Sequence, residues 1–219
     1  AAASGILLAL HFAAWISSLD YISVMSSVVL VSTNPLFVGL ASILVGIVAA
    51  THQNSVFDWS TMLLALLGAS MPIFWFGLLL MMIFSVALRL FPAGGGTDLY
   101  SLVLPAVALG TSAAALIARM TRASMLEVIR QDYLRTARAS GISEGKIVYR
   151  HALKNAMIPI ITVVGLQFGY MLGGAVIAEA VFAIPGVGSL LIEGISSRDY
   201  PVVQSTMFMI ATLFVLVNL

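Results

Sequence analysis

Six stretches of this chain are apolar almost without interruption: residues 6–19, 22–50, 62–88, 102–118, 157–182 and 203–219. A helix crosses bilayer hydrocarbon with about 17 to 25 apolar residues, so runs of this kind belong in lipid. Hydrophobic residues make up 61% of the chain and charged residues 9%, a balance that excludes an ordinary water-soluble domain. The apolar residues follow one another instead of alternating with polar ones, and lipid tolerates no unpaired backbone, so helices are predicted over a barrel. The expected fold class is all-α, a polytopic membrane protein of about six transmembrane helices. The first run is short and rich in Ala and Ser. It has no basic flank or clear cleavage context, so it reads as a membrane segment and not as a signal peptide. A sequence that lacks an initial Met and stops inside an apolar run is expected to be an excerpt of a longer chain.

Charge orients the runs. Eight of the ten Lys and Arg residues lie between Arg119 and Lys154, against only Glu127, Asp132 and Glu144, which leaves five net positive charges in that stretch. Excess Lys and Arg beside membrane segments marks the cytoplasmic side. The loop 119–156 is therefore predicted inside, and with it the N-terminus and 52–60. The connections 89–100 and 183–201 fall outside. The first of these, "FPAGGGTDLY", is built to break helices, and the second carries an amphipathic stretch around Leu190 to Ile195 suited to an outer interface helix.

The inner loop is organised. In "RMTRASMLEVIRQDYLRTARASG" Leu126, Ile129, Tyr133 and Ala137 share one face of a predicted helix that ends at Gly141. Ser143 is a candidate N-cap for a second short helix, with Ile142 and Ile147 spaced as a hydrophobic staple, before the chain re-enters the membrane at Pro159. Gly141 to Lys146 does not make a phosphate loop: only three residues separate its glycines, and Ile147 stands where Ser or Thr is required. His11, His52 and His151 lack ligand spacing, and the chain has no cysteine for disulfides or thiolate sites. No cofactor, metal or catalytic residue is expected. Gly165, Gly169 and Gly173 form a small-residue stripe for close helix approach, either within the chain or at a subunit interface. Glu179 and Gln167 are polar groups at or near membrane depth, for which hydrogen bonding to a neighbouring element is the plainer expectation.

The stretch "DYLRTARASGISEGKIVYRHALKNAMIPIITVVGLQFG" resembles the permease subunit of bacterial ATP-binding-cassette importers of the dipeptide, oligopeptide and nickel type. The likeness extends through "GGAVIAEAVFAIPGVGSLLIEGISSRDYPVVQ" and back through "ARMTRASMLEV", "LPAVALG" and "GIVAATHQNS", covering about 42–219. It implies a type I importer permease fold that moves peptides or related small solutes by alternating access. It also implies a multi-pass location in a bacterial or archaeal cytoplasmic membrane. By the same resemblance, Arg135, Thr136, Ala137, Gly141, Ile142, Ser143, Glu144, Gly145, Lys146, Ile147 and Arg150 form the element that couples to an ATPase, with Arg135 where the family often has Glu. The implied partners are a second homologous permease, two cytoplasmic ATP-binding-cassette ATPases, a periplasmic or lipid-anchored solute-binding protein, and membrane lipid. No nucleic acid is expected. Glu193, Arg198 and Asp199 are candidates for contact with the binding protein, or for an ordinary surface ion pair.

Residues 1–41 read differently. They resemble a segment of the drug/metabolite (EamA-like) transporter superfamily, so the predicted organisation is an N-terminal membrane segment of separate origin followed by a permease domain, 42–219. That leaves two further functions open: an ATP-independent secondary transporter, or a non-transporting mosaic membrane protein.

Overall fold

A computed structural model describes residues 34–95 and 99–218. The described chain contains helices and no strand: α1 (Asn34–Thr51), α2 (Val56–Ser70), α3 (Ile73–Ala87), α4 (Leu99–Ile129), α5 (Asp132–Ala139), α6 (Glu144–Val181), α7 (Val187–Ser197) and α8 (Tyr200–Asn218). Two helices are long and apolar enough to cross a membrane, over Tyr100–Ile129 and Glu144–Val181, and α2 with α3 forms a third span if the bent pair is counted as one. The apolar helices Phe37–Thr51, Val187–Ser197 and Tyr200–Leu216 are shorter. The chain is a multi-pass, all-α membrane protein. The run 6–19 lies outside the described residues, as does the part of run 22–50 before Asn34.

The run 62–88, expected as one span, is broken. α2 and α3 meet at 108° across Met71 and Pro72. Proline has no N–H to donate and crowds the preceding residue out of the helical region. Met71 accordingly takes φ −90°, ψ 125°, and Pro72 becomes the N-cap of α3. Hydropathy could not reveal this, because both halves are apolar.

α4 is the central helix, with α1, α2, α3 and α6 all packed against it. The approach of α1 depends on Gly46, where a Cβ would overlap the Ala118 carbonyl oxygen and the Thr121 side chain. The predicted boundary between residues 41 and 42 falls inside α1. Both α3 and α6 contain a widened turn with hydrogen bonds five residues back, at Met81–Ala87 and Ile147–Ala152. α6 continues through Pro159 without a break.

The loops gather at two ends, as the charge pattern predicts. At the basic end Arg130 Nη2 donates to Gln53 Oε1 at 3.2 Å, which joins the inner loops 52–60 and 119–156. At the other end the N–H of Gly95 donates to the Phe182 carbonyl at 2.9 Å, joining 89–100 to 183–201. Gly94 has φ +150°, and a Cβ there would overlap that same carbonyl, so glycine is required.

Candidate functional site

The basic end carries a compact helical platform. Its floor is an apolar cluster of Ile47 and Ala50 from α1, Met125 and Val128 from α4, Leu134 from α5, and Ile147, Ala152, Ala156 and Ile160 from α6. The inner loop is thus anchored to the helices that enter the membrane.

The predicted single helix through Leu126, Ile129, Tyr133 and Ala137 is two helices. α4 stops at Ile129, and Gln131 takes ψ 147° and starts α5. The turn resets the helical phase. Leu134 now points into the cluster and is fully buried beside Met125 and Val128, while Leu126, Ile129 and Ala137 pack at its edge. Tyr133 faces outward, and its hydroxyl accepts from Asn155 Nδ2 at 2.6 Å, tying α5 to α6.

Gly141 ends α5 as its sequence position predicts. With φ +78° it donates to the Arg138 carbonyl at 3.0 Å, and Ile142 donates to the Ala137 carbonyl at 3.3 Å, the paired bonds of a Schellman cap. Arg138 Nε then reaches across the turn to Glu144 Oε1 at 2.8 Å. Ser143 has the extended backbone of an N-cap, but its hydroxyl makes no cap bond, so the expected side-chain cap is absent. Ile142 and Ile147 both join the apolar cluster, which agrees with the staple.

Of the residues expected to couple to an ATPase, Arg135, Thr136, Gly141, Ser143, Glu144, Gly145, Lys146 and Arg150 are exposed on the platform. Ala137 and Ile142 are half-buried and Ile147 is buried beneath it. Tyr149, which sequence reasoning did not single out, presents its side chain among them with 58% of the residue exposed. A large aromatic three residues after Lys146 in a polar segment was the available signal.

A second feature escaped the sequence reading. Asp58, 3% exposed at its side chain, receives both Nε and Nη2 of Arg122, the latter at 2.7 Å. Its carboxylate also accepts from the Asn54 N–H at 2.9 Å, while its own N–H donates to Ser55 Oγ at 3.1 Å. This bidentate pair pins the start of α2 to α4 beside the platform. Asp58 is the single acidic residue of the inner loop 52–60, and it faces an arginine-rich segment.

The remaining sequence candidates separate from one another. Gly169 packs against the Phe214 ring of α8, whereas Gly165 and Gly173 meet nothing within 4 Å of a would-be Cβ among the described residues. Among the described residues the stripe is therefore not one intrachain contact. Glu193, Arg198 and Asp199 are exposed, and no ion pair joins them among the described residues. Arg198 is a left-handed cap ending α7, and Asp199 Oδ1 accepts from the Val202 N–H at 3.3 Å at the start of α8. Glu179 has a structural partner: its Oε2 accepts from the N–H groups of Gly188 at 2.7 Å and Ser189 at 3.0 Å, at the start of α7. Gln167 is buried and lines a cleft of about 570 Å³ between the α2/α3 break, α4 and α6.

Residues 42–219 match a family described as the binding-protein-dependent transport system inner membrane component. The chain belongs to this family. It is 47% identical over 211 residues to a di/tripeptide transport system permease protein of Pseudomonas aeruginosa, covering 84% of this chain and 63% of that protein. The dipeptide transport system permease protein of Escherichia coli K12 is 42% identical over 215 residues, covering 84% and 63% respectively. A glutathione transport system permease protein of Pectobacterium atrosepticum is 46% identical over 175 residues, covering 80% and 57%. The chain thus spans less than two thirds of the length of these curated relatives. The resemblance to the importer permeases and the type I permease fold it implied are borne out by the family match.

Proposed function

We propose that this chain is the membrane-spanning part of a permease subunit in an ATP-driven importer of di- and oligopeptides or related small solutes, in a bacterial cytoplasmic membrane. The observation that carries this reading is the platform. A segment with no nucleotide motif of its own exposes Arg135, Glu144, Lys146, Tyr149 and Arg150, and underneath it buries Leu134 and Ile147 against both long membrane helices. Force applied to such a surface reaches α4 and α6 directly, since close-packed interiors transmit displacement. Separate ATPase subunits would dock there and favour one of two arrangements of the permease through their differential affinity for each.

The other partners follow from the same reading. A second permease would cover the face of α6 where Gly165 and Gly173 meet no other described residue, beside exposed Leu166 and Tyr170. A solute-binding protein would meet the opposite end around Glu193, Arg198 and Asp199. Peptide is favoured as cargo because relatives are named for dipeptide, tripeptide and glutathione transport.

Co-purification from membranes with a peptide-importer ATPase and partner permease tests the reading. The wild-type chain is expected to capture the ATPase. A Gly141→Pro, Glu144→Lys variant, which cannot hold φ +78° and loses the pairing with Arg138, is expected to lose capture at equal insertion. Tyr149→Ala with Lys146→Glu, which leaves the fold of the platform in place, is expected to weaken capture and the stimulation of ATP hydrolysis by substrate. If the wild-type chain inserts and captures no ATPase, the importer reading fails.

A further inference from the structure

The cleft at the α2/α3 break holds a cation left unmatched among the described residues. Arg122 is neutralised by Asp58, but Arg119 lies one turn deeper along α4, about 4.5 Å by helical rise, and has no hydrogen bond or ion pair among the described residues. Charged side chains at membrane depth face bundle interiors or watered cavities and pair there. Arg119 lines the cleft with Ser70, Ser112, Gln167 and Tyr170. Gln167 is 9% exposed, forms no hydrogen bond among the described residues, and lines the cleft. The cleft wall also includes Met71 and Pro72, where the helix backbone is interrupted; irregular backbone at such depth is stable where it borders protein or water.

We propose that this cleft is a solute subsite within the permease, in which the Arg119 guanidinium binds a carboxylate of the transported solute, with Gln167 and Ser112 supplying neutral hydrogen bonds. The proposal rests on the importer reading. A guanidinium matches a carboxylate with two parallel N–H donors, and in a partly desolvated site that match is stronger than in water. Peptides carry such a carboxylate at their C-terminus, so the missing counter-charge travels with the cargo. The broken span gives the subsite a reason for its position: a hinge at Met71 and Pro72 lets α2 and α3 move separately around a bound solute.

The test uses the importer reconstituted in liposomes with the permease and ATPases that co-purify with it and a dipeptide-binding protein. Because the sequence contains no cysteine, Ser70→Cys introduces a single thiol into the cleft wall at a position given no role in binding the solute. A charged thiol reagent is expected to modify it, and a dipeptide that the vesicles accumulate with ATP is expected to slow modification about tenfold. In the Arg119→Gln background, modification without dipeptide is expected to stay unchanged, which reports an intact cleft, while protection by dipeptide disappears. The half-saturating dipeptide concentration for uptake is expected to rise about tenfold or more, the range for losing a hydrogen bond to a charged group. Arg119→Lys is expected to retain part of both effects. Unchanged uptake with Arg119→Gln, a thiol that no charged reagent reaches, or protection that follows anionic lipid content and not dipeptide would each overturn the subsite while leaving the importer reading standing. No ATP-driven uptake by the wild-type assembly would remove both.

Discussion

The two ends of this protein are held together by different chemistry. At the basic end, separate elements are joined by side chains: the Asp58–Arg122 pair, Arg130 with Gln53, Tyr133 with Asn155, and Arg138 with Glu144, above a cluster of buried apolar residues. At the opposite end the joins run through backbone. Gly95 donates to the Phe182 carbonyl, Gly94 makes room for it, and Glu179 accepts from the first N–H groups of α7. A surface that receives force from another protein, as the proposed function has it, gains from side-chain ties spread over several helices. An end that must bring a short interface helix back against its span can do so with one carboxylate and two glycines.

Breaking the basic end at its buried pair is expected to have the largest effect. Asp58→Ala leaves Arg122 without its partner and is expected to cost about 3–5 kcal/mol, read as a lowered unfolding midpoint of the detergent-solubilised protein. Adding Arg122→Leu is expected to restore much of that loss, since it removes the stranded charge. A double variant as unstable as the single would assign the cost to packing. At the opposite end, Glu179→Ala removes a charged acceptor from two backbone donors and is expected to cost about 1.5–3 kcal/mol, with faster proteolysis confined to 183–199. If cleavage instead spreads to the platform, the two ends are not independent. Thr121 probes the α1–α4 contact between them. Its buried hydroxyl has no partner among the described residues, so Thr121→Val is expected to stabilise by about 1 kcal/mol. The smallest effect is expected at the exposed Arg138–Glu144 bridge, where Arg138→Ala costs less than about 1 kcal/mol of stability. Its consequence is expected in ATPase capture, which separates a coupling role from a folding role.

Much of the basic end was legible in the sequence. The concentration of Lys and Arg located it, and Gly141 with the Ile142 and Ile147 spacing outlined its second half, because capping and staple rules act over a few residues. The phase of its first half was misread. A continuous helix through Tyr133 and a helix interrupted at Gln131 share most of the same local propensities, and only the cavity that Leu134 fills distinguishes them. The glycine stripe was a similar case. Four-residue spacing put Gly165, Gly169 and Gly173 on one face, yet among the described residues Gly169 alone of the three meets another helix.

The sequence by itself determined that the chain lives in a membrane as a set of helices, which end is basic, and where the inner loop turns. Those properties add up along neighbouring residues. The tertiary structure decided that run 62–88 bends by 108°, that Asp58 matches Arg122 while Arg119 stays unmatched among the described residues, and that Glu179 holds α7. The reason is that hydropathy and charge are properties of a residue and its neighbours, whereas pairing depends on where elements far apart in sequence place their side chains.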